Sequence, residues 1–356
     1  MRPVRGMILL AVWTALLAAQ AGAAVPSAGG TAAMVFLDSW RQVTLPMPVA
    51  SLRAEAEGRT TAWLAGGGRE VASTAAVMDA AGRRRVRSGA VMPAPFLADL
   101  RDELGVAELV IVEVILEPAR VVLLVRGVDA GDGVLRWLLR REQPIAGILA
   151  GADAPAEQAA LTEALGQAFA ALAVPAGPSA AAAPGGSRTL LLPASSVGCT
   201  AREARLVTHC LLTDAVAAGM RPVDPAVAVA ALMDAGADPQ RLDRAARAML
   251  RDRFGARTAI RPLLVGYSDA DAPARRTIGD DPEELVAAIT SLHSFTLNLF
   301  GLDLADGLLT AGAEVHMVHQ GRVGWFGVPD RTSLLERLTA ASHEAWAGLG
   351  PLTEDL

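Results

Sequence analysis

The side chains able to do chemistry are few and unevenly placed. All five histidines (His209, His293, His316, His319 and His343) and both cysteines (Cys199 and Cys210) lie in the carboxyl-terminal half. A metal site needs ligands that converge on one point. His316 and His319 are three apart on a segment read as a strand, so their side chains point to opposite faces, while His209 and Cys210 are neighbours on a segment read as a helix and diverge. No C-x-x-C or C-x-x-H pair occurs. In "PASSVGCT", Ser195 and Ser196 occupy a loop after a strand and before a helix, a common place for active sites in open α/β sheets. The stretch lacks the G-x-S-x-G spacing of a nucleophile elbow, and Gly198 alone makes no phosphate cradle. Asp280, Asp281, Glu283 and Glu284 suit a solvated helix start, where negative charge meets the positive end of the helix dipole. No catalytic, cofactor-binding or metal-ligating residue is assigned, no cofactor is expected, and the chain reads as a non-enzyme.

The cysteines read as free thiols. Thr200 and Glu203 have capping-box spacing, which opens a helix at Thr200 with Cys199 before it and Cys210 within it. At about 1.5 Å per residue their Cα atoms stand roughly 16 Å apart, against a disulfide limit of ~7 Å. Cys210 shares a helix face with Leu206, Thr213 and Ala217, which suits a small buried thiol.

The elements that would position these groups occur twice. "LRDELGVAELVIVEV" at 100–114 is matched 150 positions later by "LRDRFGARTAIRPLLV" at 250–265. "AAVMDA" at 75–80 is likewise echoed by "AALMDA" at 230–235. In the first half, strands are expected at 34–40 and 70–72, and helices at 51–64 and, capped by Thr74, through Ala80. A hairpin over 121–139 turns at Asp129 to Gly133, and a helix follows over 156–172. In the second half, a strand at 189–193 precedes the helix opened by Thr200 and stopped by Gly219. Asp224-Pro225 then caps the next helix, a hairpin turns at Gln320-Gly321, and a helix starts at Ser333 with Glu336 completing a capping box. "PAGPSAAAAPGGS" at 175–187 has no long apolar side chain and reads as a linker. The duplication is broken by residues 268–312. They read as a helical insertion, with Pro282 at a helix start and Leu285, Ile289, Leu292, Phe295 and Leu299 on one face. That helix is the expected element for docking onto a partner or onto the first domain.

Bulk properties bound the class. The 356 residues carry 32 Lys+Arg and 38 Asp+Glu, a formal charge of -6 that becomes -8 without Arg2 and Arg5. With no basic stripe to offset it, nucleic-acid binding is disfavoured. Residues 1–24 read as a signal peptide: Arg2 and Arg5, the apolar core "MILLAVWTALLAA" at 7–19, then small residues. No cysteine follows the core, so no lipid-attachment site is expected, and no later stretch reaches the ~18 uncharged apolar residues of a membrane helix. The mature chain is expected in a bacterial periplasm.

The order strand, helix, short strand, helix, glycine, long strand and hairpin resembles the amino-terminal domain of TolB and its relatives in the curli secretion channel CsgG and the penicillin-binding-protein activator LpoB. The residues carrying the resemblance are Leu104-Gly105-Val106-Ala107 and the Val128 to Gly133 turn. In the second copy they are Val223-Asp224, Phe254-Gly255-Ala256 and Gln320-Gly321. The resemblance implies an α/β protein of two tandem sandwich domains, 31–174 and 188–350, each a mixed sheet packed against helices. It implies a non-enzymatic periplasmic role in envelope assembly, secretion or transport, with envelope or outer-membrane proteins as partners and oligomerisation possible. The absent lipid-attachment cysteine, the helical rather than hairpin insertion and the lack of a following propeller depart from the named relatives. Two other classes stay open: a periplasmic module holding a small ligand between its domains, and a hydrolase.

Overall fold

The computed structural model describes residues 29–39, 43–147, 149–175, 188–268, 290–322 and 334–350. The signal segment 1–24, linker residues 176–187, the acidic group Asp280 to Glu284 and the Ser333 cap lie outside them.

The first half contains β1 (Gly30–Ser39), then three helices, α1 (Val49–Gly66), α2 (Thr74–Arg83) and α3 (Ala94–Leu104). Next come β2 (Val106–Glu117), β3 (Arg120–Asp129), β4 (Leu135–Pro144) and α4 (Ala154–Ala170). The sheet order is β1-β2-β3-β4, with β1 parallel to β2 and the others antiparallel. The second half contains β5 (Arg188–Leu191), β6 (Ser195–Val197), α5 (Ala201–Ala217), α6 (Pro225–Asp234) and α7 (Arg244–Phe254). It continues with β7 (Ala256–Ser268), β8 (Thr290–Asp303), β9 (Leu309–Arg322) and α8 (Leu334–Gly348). Its sheet runs β5-β7-β8-β9, and β5 is again parallel to its neighbour. The fold is α/β: two mixed sheets, each packed against helices.

The repeated Leu-Arg-Asp stretches are the ends of α3 and α7. Each helix closes on a glycine in the left-handed region, Gly105 at φ 65° and Gly255 at φ 65°, whose N–H returns to the carbonyl of Arg101 or Arg251. A side chain is strained in that conformation, so glycine turns the chain out of the helix and into the central strand. Thr200 caps α5 with the full reciprocal box to Glu203, and Asp224 caps α6 through Ala226 N at 2.8 Å.

Helices cover both faces of the first sheet, so β2 is an almost continuously buried apolar strand. On one face Val110, Val112, Leu123 and Val125 meet α1 and α4. On the other, Leu109, Ile111 and Leu124 belong to one core that also holds Leu206 and Leu211 of α5 and Leu232 of α6. The two halves therefore share a hydrophobic core, and α5 touches both β4 of the first sheet and β5 and β6 of the second.

Five expectations are corrected. Residues 290–303 are strand, not the second part of an inserted helix. Leu292, Phe295 and Leu299 have helical spacing, but Phe295, Leu297 and Leu299 also alternate with Ser294, Thr296 and Asn298, and pairing on both sides decides for the strand. Gln320-Gly321 lies inside β9, and the hairpin instead turns after Asp303. That turn repeats the first one in detail. Gly133 N donates to Asp129 O at 3.0 Å and Gly307 N to Asp303 O at 2.9 Å, while the carboxylates accept from Gly131 N and Ala305 N. Ser195 and Ser196 are not loop residues but part of β6, paired in parallel with β7. Finally, Ser73 rather than Thr74 occupies the cap position of α2, without a side-chain cap bond, and the expected strand at 70–72 is a single bridge between Val71 and Thr31.

Candidate functional site at the seam between the halves

The densest polar chemistry lies where the first sheet meets α5 and α6. Arg126 interrupts the apolar run of β3 and points into this seam. Its Nε donates to Asp224 Oδ2 at 2.7 Å, its Nη1 to Glu113 Oε1 at 2.5 Å and its Nη2 to the carbonyl of Gly89 at 2.7 Å. Burial alone would lower the arginine's pKa, but the Asp224 and Glu113 charges outweigh it and raise it. Glu113 is held below its ordinary value: burial pushes it up, and Arg126 more than reverses this. Asp224 serves twice, one carboxylate oxygen capping α6 and the other meeting Arg126.

Beside this group His209 is buried, and its Nε2 has no hydrogen-bond partner. Burial lowers its pKa to about 3, so the ring is neutral at physiological pH. It borders a cavity of about 80 Å³ shared with Glu113, Arg126 and Arg205. That volume suits a few ordered waters rather than an organic ligand.

Further ion pairs cross the seam. Arg202 of α5 reaches Asp38 of β1 at 3.2 Å and Arg205 pairs with the same carboxylate; Arg188 Nη2 donates to Asp132 Oδ2 at 2.8 Å. Main-chain bonds join the halves as well: Met92 N to Ala226 O, Leu135 N to Pro222 O and Asp224 N to Gly133 O, at 2.8 to 3.0 Å. A separate buried group in the first half joins Arg69, Glu108 and Trp137, whose indole Nε1 donates to Glu108 Oε1 at 2.8 Å.

The remaining sequence candidates are scattered. Cys199 and Cys210 are free thiols, the latter buried with Sγ 3.5 Å from Thr339 Oγ1. His316 is exposed on β9 with Nδ1 3.2 Å from Thr296 Oγ1, and His343 pairs with Asp214 across α8 and α5. His293 and His319 oppose each other in the β8–β9 ladder. Among the described residues no three His, Cys, Asp or Glu side chains converge on a metal position. Sequence reasoning missed Arg126, Glu113 and the seam role of His209. The available signal was one charge inside the otherwise apolar "VVLLVRGVD".

Fold and seam together define a two-sheet α/β protein whose halves are joined by a buried Arg126–Asp224 pair, partly exposed ion pairs and main-chain hydrogen bonds. No protein-family model matches the chain, and no curated protein matches it. Among solved structures, the chain is similar to lipoprotein GNA1162 of Neisseria meningitidis, with 12% identity, a TM-score of 0.30, and coverage of 45% of this chain and 98% of that one. It is similar to the LpoB C-terminal domain from Salmonella enterica at 14% identity and a TM-score of 0.24, covering 38% and 85%. A PelC dodecamer from Paraburkholderia phytofirmans gives 14% identity and a TM-score of 0.25, covering 47% and 88%.

Proposed function

We propose that this is an exported, non-enzymatic periplasmic protein, an accessory or scaffold of a cell-envelope assembly, secretion or transport complex that works through protein contacts. The observation carrying this is how the seam spends its charges. All three Arg126 nitrogens are engaged, Nε by Asp224 of the second half and Nη1 and Nη2 by Glu113 and Gly89 of the first, so these buried charges tie the fold and its seam together rather than standing free for a reaction. The signal-like segment 1–24 supports export. The two halves are taken as tandem copies of one TolB-like, CsgG-like domain. Their shared element order and the matched turns at Asp129 and Asp303 support this. Affinity capture of the tagged protein from cross-linked envelope extracts tests the role. Reproducible co-purification of envelope proteins is expected, and a protein that runs alone in every fraction overturns it.

A second reading, a small ligand held between the halves, is favoured by one observation. A groove of about 340 Å³ opens on the seam, within the size range of small-molecule sites. A thermal-shift screen of small metabolites tests it.

A further inference from the structure

The structure assigns this seam groove to a small polyanion, a ligand bearing clustered phosphate or carboxylate oxygens. The proposal deepens the second reading by naming where the ligand sits and what recognises it.

The groove is built from both halves. Its apolar floor is Leu97 of α3, Val227 of α6 and Phe254 at the end of α7, and its charged rim is Arg101, Arg188 and Arg253. An apolar floor with a few convergent polar groups is the usual anatomy of a small-molecule site. Asp132 is the one carboxylate lining it, and Arg188 already pairs with it. Among the described residues Arg101 pairs with its exposed sequence neighbour Asp102, a contact worth little in water. Arg253 has no carboxylate partner among the described residues. Its guanidinium lies over the Phe254 ring at 5.6 Å, which leaves its donors free to face a ligand. The charged side chains of the lining, three arginines against Asp132, thus sum to two positive charges on a chain whose formal net charge is -6, with Arg101 sharing its charge with the exposed Asp102 and Arg253 unpaired among the described residues.

The frame is preorganised. The 130–133 turn is tied by Asp129, which accepts from Gly131 N at 2.7 Å, and docked onto the second half by Asp224 N to Gly133 O at 2.8 Å. Arg188 Nη1 also reaches the carbonyl of Phe254 at 3.4 Å. Arginine forks held on a fixed frame favour ligands with paired anionic oxygens.

The groove also falls where the two repeated stretches part. Glu103-Leu104 in the first stretch stand where the second has Arg253-Phe254, and it is Arg253 and Phe254 that line the groove. Arg251, which matches Arg101 in sequence, does not line it and pairs with Asp252.

The test is titration calorimetry of the full mature chain with inorganic pyrophosphate and, separately, citrate. At least one should bind saturably. Arg101→Gln combined with Arg253→Gln should weaken it about tenfold or more, while Arg251→Gln should stay within about twofold. Preference for pyrophosphate identifies a phosphate ligand, and preference for citrate a carboxylate one. No saturable binding of either probe up to about 5 mM overturns the proposal, as does equal weakening by Arg251→Gln. Stabilisation by some other compound in the thermal-shift screen, unchanged in the Arg101/Arg253 variant, would sink this groove while leaving the second reading intact.

Discussion

Arg126 and Asp224, 98 residues apart in sequence, meet across the seam with Nε 2.7 Å from Oδ2, at a point where the same carboxylate caps α6. One contact therefore couples the orientation of a second-half helix to a first-half strand. Arg126→Met strands the Asp224 and Glu113 carboxylates in a buried site without their cation. Removing one partner of a buried pair costs about 3–5 kcal/mol. Urea unfolding should show that loss, and adding Glu113→Gln and Asp224→Asn should restore part of it. A loss below about 1 kcal/mol would mean that water reaches the pair and screens it as at a surface.

His209 makes the seam acid-sensitive. Its folded-state pKa is about 3 against an ordinary 6.5, with burial as the main cause. Between those values the unfolded chain binds more protons than the folded one. The stability tied to a neutral His209 is thus fully present above about pH 6.5 and is lost as pH falls, by about 1.4 kcal/mol per unit. Unfolding midpoints of the parent and His209→Leu, compared between about pH 6.5 and 5 and so above the carboxylate range, should diverge in slope by close to one proton. Parallel slopes would show that His209 is hydrated enough to titrate normally.

Local chemistry is what the sequence displayed. The helix ends at Gly105 and Gly255, the capping box at Thr200 and Glu203, the Asp224 cap and the Asp129 turn each follow from residues within a few positions of one another. β8 was illegible because its apolar spacing satisfies a helix and a strand alike, and only the ladders to β7 and β9 choose between them. The Asp303 to Gly307 turn went unread for the same reason, since it fell inside a segment already read as helix. The seam was hidden on other grounds. Arg126, Glu113, His209 and Asp224 come from four elements, and no local pattern announces that α5 of one half will cover the sheet of the other.

The two thiols should be slow to react. Burial, with the Glu203 charge adding to it, pushes Cys199 up to about 11, and burial also raises Cys210. At pH 8 a rise from 9.0 to about 11 cuts the thiolate fraction, and with it the alkylation rate, about 100-fold. Iodoacetamide should label neither cysteine appreciably in the native protein, and both in guanidinium without reductant. Rapid native labelling of Cys199 would show that its partial burial does not hold the thiol protonated, and failure to label in guanidinium would reveal a disulfide.

The matched turns allow one discriminating comparison. Gly133 and Gly307 both hold left-handed conformations, φ 72° and 80°, so an alanine at either carries backbone strain of about 1–2 kcal/mol. Their surroundings differ. A Cβ on Gly133 would lie 2.7 Å from Val227 Cγ1, in the packed seam, whereas one on Gly307 meets the guanidinium of Arg247, the far end of a flexible side chain that can move at the cost of its bonds to the Leu242 and Asp306 carbonyls. Overpacking adds about 1–3 kcal/mol at the first site, and the second loses less, the bonds of one movable side chain. Gly133→Ala should therefore destabilise the protein clearly more than Gly307→Ala in denaturant titrations. It should also weaken polyanion binding, because the displaced turn carries Asp132 and, through it, Arg188. Equal losses in the two variants would mean that the first turn is not pressed against the second half, and the groove would lose its rigid wall.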